Sequence, residues 1–182
     1  ATVAICAAVS PALADESTAD SETIVVTATR TPQPLDKTGT SMSVITADDI
    51  RTQQVDVVTD ILAETPGLTV SRAGDVGQPA SISIRGSETG QTLVLVDGAR
   101  MNDPSSVDDQ AILADLLVNN IDRIEVLRGP QSTLYGSDAV GGVVNILTKR
   151  GGDAPFGGTA SADDGSFDTW HLNAATNGTT DN

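Results

Sequence analysis

"RIEVLRGPQSTLYGSDAVGGVVNILTKR", Arg123 to Arg150, is the stretch on which the fold turns. It opens and closes as β-strand, because "IEVL" and "VVNIL" are runs of β-branched and aliphatic residues. Between them stand Gly129, Pro130, Gly136, Gly141 and Gly142. These residues stop strands and let the backbone turn tightly or lie close to a neighbour.

Upstream, "SVIT" reads as a short strand from Ser43. Thr46 follows as an N-cap, with Asp48 and Asp49 in the first turn of a helix. Val55 to Glu64 predicts a second helix, with Val58, Ile61 and Leu62 on one face; Pro66 and Gly67 stop it. "LTVSR" and "SISIR" alternate as strands around the loop "AGDVGQPA". "TLVLVDGARM" predicts a hairpin turning at Asp97-Gly98. After the polar loop "NDPSSVDDQ", Ile112–Leu117 reads as a short helix, and "NIDRIEVLRG" enters the decisive stretch. The sum is a small α+β domain with a mixed sheet, short helices and long glycine-rich loops.

Downstream the character changes. Thr159–Ala162, then Asp163-Asp164-Gly165, then Phe167–Thr176 read as strand, turn and strand. Trp170, Leu172 and Ala174 share one face, with Thr169, His171 and Asn173 on the other. This pattern fits any half-buried strand and also a transmembrane barrel strand. Phe156, Phe167 and Trp170 all lie in this part, and Tyr135 is the one aromatic residue before it. The two regions therefore meet different surroundings.

The chain carries 25 acidic and 10 basic residues, a formal net charge of -15. Phosphate binding needs a basic surface, so nucleic acid is not expected as a partner. One cysteine, Cys6, excludes a disulfide framework, and one histidine, His171, removes most hydrolase and zinc arrangements. "ATVAICAAVSPALA" ends in the small-x-small pattern of a secretory cleavage site after Ala14. Residues 1–14 are thus expected to be part of a signal peptide that lacks its basic start. Residues 15–42 are polar, punctuated by Pro32, Pro34 and Gly39, and read as a flexible lead-in. One island interrupts it: "ETIVVTA", Glu22 to Ala28. Such a strand either pairs within its own domain or adds itself to another protein's sheet edge.

No phosphate loop, dinucleotide fingerprint, HExxH or GxSxG is present, so no enzyme activity and no cofactor are expected. Asp48-Asp49 and Asp108-Asp109 lack calcium-loop spacing, and no metal site is predicted. Arg85-Gly86 and Arg128-Gly129 each follow a strand, where a guanidinium fork can reach a carboxylate. A surface arginine in a turn is the plainer reading of each.

"SISIRG", "LVLVDGARMND" and "IDRIEVLRGPQSTLYGSDAVGGVVNILTKR" together resemble, in order, the plug domain of TonB-dependent outer-membrane receptors. The resemblance covers residues 22–150, and "ETIVVTA" with "YGSDAVGGVVNI" is most similar to the cobalamin-receptor branch. It implies a plug over 43–150 inside a barrel of about 22 strands, whose first strands lie in 151–182. It implies a TonB box at Glu22, Thr23, Ile24, Val25, Val26, Thr27 and Ala28, which adds a strand to TonB in the periplasm. Arg85 and Arg128 match arginines that pair with barrel carboxylates. The loops 73–80, 86–91 and 100–110 are expected to face substrate, with Ser87, Glu88, Asn102, Asp103 and Ser105 as contacts. Glycine 141 and 142 are expected to permit a bend or bulge before the last plug strand.

The implied activity is outer-membrane uptake of a large scarce nutrient, cobalamin or a ferric siderophore, whose cargo can itself carry a metal. Its partners are TonB, that ligand and, through the barrel, membrane lipid. The seven residues between the cleavage site and Glu22 leave no room for an N-terminal signalling domain, so a transporter alone is expected. The alternative is a stand-alone periplasmic plug-like binding module without a barrel.

Overall fold

A computed structural model describes residues 23–74, 78–106, 111–113, 116–149, 157–165 and 169–178. In chain order the strands are β1 (Ile24–Val25), β2 (Gln33–Pro34), β3 (Met42–Thr46), β4 (Leu68–Arg72), β5 (Ala80–Ile84), β6 (Thr92–Val96), β7 (Ala99–Arg100), β8 (Ile121–Arg128), β9 (Gly142–Thr148), β10 (Gly157–Gly165) and β11 (Thr169–Asn177). The helices are α1 (Ala47–Gln53), α2 (Val58–Glu64) and the single turn α3 (Ser132–Tyr135).

Five strands form one mixed sheet in the order β3-β8-β9-β6-β7, with β6 and β9 parallel and the other pairs antiparallel. This is the α+β architecture expected. Strand alternation divides the core into two layers. Val94, Ile124, Val126, Val144 and Ile146 pack with Ile50, Val58, Ile61 and Leu62 of the helices and Ile82 and Ile84 of the β4–β5 hairpin. Leu93, Leu95, Leu127 and Val143 face the opposite way, against Ala28, Ala139 and Tyr135. Because both faces are covered, β6 and β9 read as almost continuous apolar runs.

The local signals explain the ends of the elements. Thr46 caps α1 reciprocally: its hydroxyl accepts from the Asp49 N–H at 3.3 Å, and its own N–H donates to Asp49 Oδ2 at 2.9 Å. Hydrogen bonding by the Thr46 hydroxyl, then by its N–H, holds the Asp49 carboxyl below its usual range. A lowered folded pKa adds stability above the unfolded value, near ~4, and loses it as pH falls through the folded one. Thr46→Ala should therefore cost about 1 kcal/mol at neutral pH in chemical denaturation. The gap from the parent should narrow at more acid pH. At the β6–β7 hairpin, Asp97 and Gly98 adopt φ of 48° and 85°, the left-handed pair that a two-residue turn needs.

Several expectations are corrected. Residues 23–42 are not a free lead-in: β1 pairs with β2, and Val25, Thr27 and Ala28 are buried against the sheet. Helix α2 begins at Val58, because Gln54 turns left-handed and Val57 is extended in a bridge to Leu117. The described part of 112–117 is not helical. Leu117 is held in that bridge, and a 3-10 turn forms over Val118–Asn120 instead. Asp163-Asp164-Gly165 is not the turn, because cross-strand pairing continues to Gly165 opposite Thr169. The register irregularity lies between Ile121 and Arg123, not at Gly141-Gly142. Glycine there serves close approach: a Cβ on Gly142 would lie 2.3 Å from the Leu127 carbonyl oxygen. The signal-peptide reading of 1–14, Glu22, Asp108-Asp109 and the tips of the 73–80 and 100–110 loops lie outside the described residues.

Candidate functional site

Residues 23–30 lie across the sheet face that carries Leu93, Leu95, Leu127 and Val143. What holds them there is polar. Glu125 on β8 is fully buried on this face, directly opposite Asn145 of β9. Its Oε2 accepts from the Val26 N–H at 3.1 Å, the Thr27 N–H at 2.8 Å and the Thr27 hydroxyl at 2.5 Å. Arg123 Nε donates to Oε1 at 2.8 Å and supplies the countercharge. Asn145 Nδ2 donates to the Thr27 hydroxyl at 3.0 Å, and the Tyr135 hydroxyl donates to the Thr27 carbonyl at 2.8 Å. Burial is the main cause that pushes the Tyr135 phenol above its ordinary pKa, which keeps it a neutral donor. Arg30 stacks on the same ring, 4.5 Å from its centroid. A buried carboxylate is tolerable only with this degree of pairing.

The sequence reading found the segment but missed Glu125, Asn145 and Tyr135 as its seat. The available signal was two polar residues, Glu125 and Asn145, each flanked by aliphatic residues within its strand.

Arg85 and Arg128 come together at one end of the sheet. Arg85 sits at φ 52° just beyond β5 and donates to Ser41 Oγ at 3.0 Å. Arg128 donates to Ser43 Oγ at 2.7 Å and to the Pro66 carbonyl at 2.8 Å. Gly67 leaves room for it, since a Cβ there would be 3.3 Å from Arg128 Nε. Burial, and then the neighbouring charge of Arg85, lower the Arg128 pKa. Among the described residues neither arginine makes an ion pair, whereas Arg72, Arg100 and Arg123 each have a carboxylate. Two guanidinium groups thus stand near one another with no counter-charge among the described residues.

The five loop residues behave differently from one another. Glu88 and Ser105 are exposed. Asp103 is half-buried and accepts from the Ser105 N–H and hydroxyl, which hold its carboxyl below the usual range. Ser87 is half-buried, and its hydroxyl accepts from the Ile84 N–H at 3.2 Å. Asn102 is turned inward: Oδ1 accepts from the Val94 N–H and Nδ2 donates to the Thr92 carbonyl. It completes the edge of β6, so it does not present its side chain to a ligand in this conformation. Among the described residues no group of His, Cys, Asp and Glu is placed to hold a metal ion.

Strands β10 and β11 pair over nine residues each, with Ala162 opposite Leu172 and Ala160 opposite Ala174. Trp170 and Leu172 are 69% and 80% exposed, so this apolar face has no cover among the described residues. No helix among them is long and apolar enough to cross a membrane, which says nothing about crossing by strands.

A family model described as the TonB-dependent receptor plug domain matches residues 34–143. Among solved structures, the siderophore receptor PirA from Pseudomonas aeruginosa is 38% identical, over 66% of this chain and 20% of that one, with a TM-score of 0.50. The ferric yersiniabactin uptake receptor FyuA from Yersinia pestis is 26% identical, over 73% and 20%, with a TM-score of 0.56. A structure of the FpvAI–pyocin S2 complex matches at 25% identity, over 85% and 19%, with a TM-score of 0.68. The chain spans about a fifth of the length of the receptors it matches.

Proposed function

The chain belongs to the TonB-dependent receptor plug-domain family, and from that premise we propose that it is the plug-bearing part of an outer-membrane active transporter that takes up a ferric siderophore. The observation that carries this reading is the plug match over 34–143, joined to relatives whose names are ferric and siderophore receptors. Residues 22–28 are the coupling strand offered to TonB on the periplasmic side, and 43–150 fills the barrel lumen. Arg85 and Arg128 bind barrel carboxylates, which fits their lack of an ion pair among the described residues. The loops 86–91 and 100–110 face the cargo, with exposed Glu88 and Ser105 and half-buried Ser87 and Asp103.

The hairpin β10–β11 begins the barrel. Nine residues per strand match the ~9–11 that cross a bilayer at a tilt. An uncovered face of Ala160, Ala162, Trp170, Leu172 and Ala174 suits lipid. That face favours a transporter over a stand-alone plug-like binding module.

Cobalamin is the second cargo, favoured by the resemblance of "ETIVVTA" and "YGSDAVGGVVNI" to that branch. Cells expressing the full-length receptor discriminate between the two. Accumulation of radio-iron from a ferric siderophore, with no cobalamin accumulation, is the expected result. Uptake of cobalamin alone would replace the cargo.

Anchoring has its own test. Arg128→Ala removes a partly buried guanidinium and leaves its barrel partners uncompensated, at about 2 kcal/mol or more. Hydrogen exchange in the full receptor should quicken across β8 and β9 while the plug stays folded. Unchanged exchange counts against the anchor.

A further inference from the structure

The cover formed by residues 23–30 stops short of the β6–β7 hairpin, and a cavity of about 480 Å³ lies between them. Leu93 and Leu95 of β6 and Leu147 of β9 give it an apolar floor, with the Tyr135 ring at one side. Three charged side chains reach it: Arg30, Asp97 and Arg100. Asp97 is taken, since it accepts from the Thr148 N–H at 3.0 Å and the Thr148 hydroxyl at 2.6 Å. Arg100 is paired with Asp138. Arg30 leans on the Tyr135 ring and has no carboxylate partner among the described residues.

Asn145 supplies a second open group. It is 7% exposed, and its Nδ2 donates to the Thr27 hydroxyl. Its Oδ1 is buried and accepts no hydrogen bond from the described residues. Asn145 stands between Glu125 on β8 and Leu95 on β6. Thr27 lies on the Glu125 side, so the planar amide turns its oxygen the other way, towards Leu95 and the cavity. A buried acceptor without a donor is costly and calls for a partner.

We propose that this cavity binds a small aromatic carboxylate that carries one N–H or O–H donor. The donor meets Asn145 Oδ1, the ring packs on the three leucines beside Tyr135, and the carboxylate reaches the Arg30 guanidinium. A volume of about 480 Å³ lies within the range of small-molecule sites, where a few polar groups fix orientation on apolar walls. A cationic ligand would meet Arg30 and Arg100, and a purely apolar one would leave the amide oxygen unpaired. The site stands apart from the transport reading, because none of these contacts involves uptake.

Equilibrium dialysis of radiolabelled indole-3-acetate against the full-length receptor in detergent, with receptor-free micelles as blank, tests the site. One saturable site per chain is expected, with a Kd on the order of 0.1–1 mM. Arg30→Gln, at an exposed position, should weaken it about tenfold. Leu147→Trp fills the floor and should abolish it. Naphthalene-1-acetate keeps the ring and carboxylate but has no N–H, and should bind about tenfold more weakly than indole-3-acetate. The absence of saturable binding would overturn the proposal. Unchanged binding in either variant would place the probe elsewhere and overturn it too. Equal affinity for naphthalene-1-acetate would remove the donor contact with Asn145, and with it the assigned ligand class.

Discussion

Val25→Pro in the full-length receptor should reduce energised uptake to the level of cells without TonB, with surface binding of the ligand retained. Proline removes the N–H that a strand donates to its neighbour and fixes φ. Strand addition draws its affinity from main-chain hydrogen bonds and not from the side chain. A loss of ~3 kcal/mol at such a position corresponds to roughly two orders of magnitude in affinity. Val25 is also fully buried and opposite Gln33, so proline disturbs the seated state too. Val25→Ala separates the two effects, because it trims the buried side chain and keeps the N–H. It should transport nearly as well as the parent. Normal uptake by Val25→Pro would remove residues 22–28 from the coupling role.

Gly142→Ala should be the most damaging single substitution in the sheet. The added Cβ would stand 2.3 Å from the Leu127 carbonyl oxygen and 2.7 Å from Ile84 Cδ1, at φ +152°. The carbonyl belongs to β8, which is bonded on both sides and cannot step back. Strain at a glycine-only conformation costs about 1–3 kcal/mol, and overpacking adds about 1–3 kcal/mol. The sum takes much of the ~5–15 kcal/mol that holds a domain together. Gly98→Ala is the comparison: φ is +85°, but nothing lies within 4 Å of its Cβ. It should cost only about 1–2 kcal/mol. Hydrogen exchange of β8 and β9 in the two variants tests the difference. Equal protection would mean that the sheet relaxes around the added methyl group.

Local chemistry was legible in the sequence wherever the deciding partners are neighbours in the chain. The Thr46–Asp49 box, the Asp97-Gly98 turn and the stop at Pro66-Gly67 each lie within a few residues. So was the order of β8 and β9, because the glycine-rich loop between them marks both ends. The seat of residues 26–28 was not legible. Glu125 lies 98 positions from Thr27, and a charged residue in a strand normally marks a solvent face. Only the cover that folds over it turns it into an interior ligand for backbone N–H groups. Asn102 misled for a similar reason, as a loop-like asparagine whose amide matches the open edge of β6. The failed helix at Ile112–Leu117 is periodicity overruled by a bridge: Leu117 is drawn to Val57. In β10, acidic residues and glycine looked like a turn, but pairing with β11 carried the strand through them.

Accumulation of radio-iron-labelled siderophore, compared in cells with and without TonB that express the full-length receptor, tests the central claim most directly. The account predicts equal surface binding in both and accumulation only where TonB is present. Equal accumulation in the two would contradict a plug that opens by being pulled.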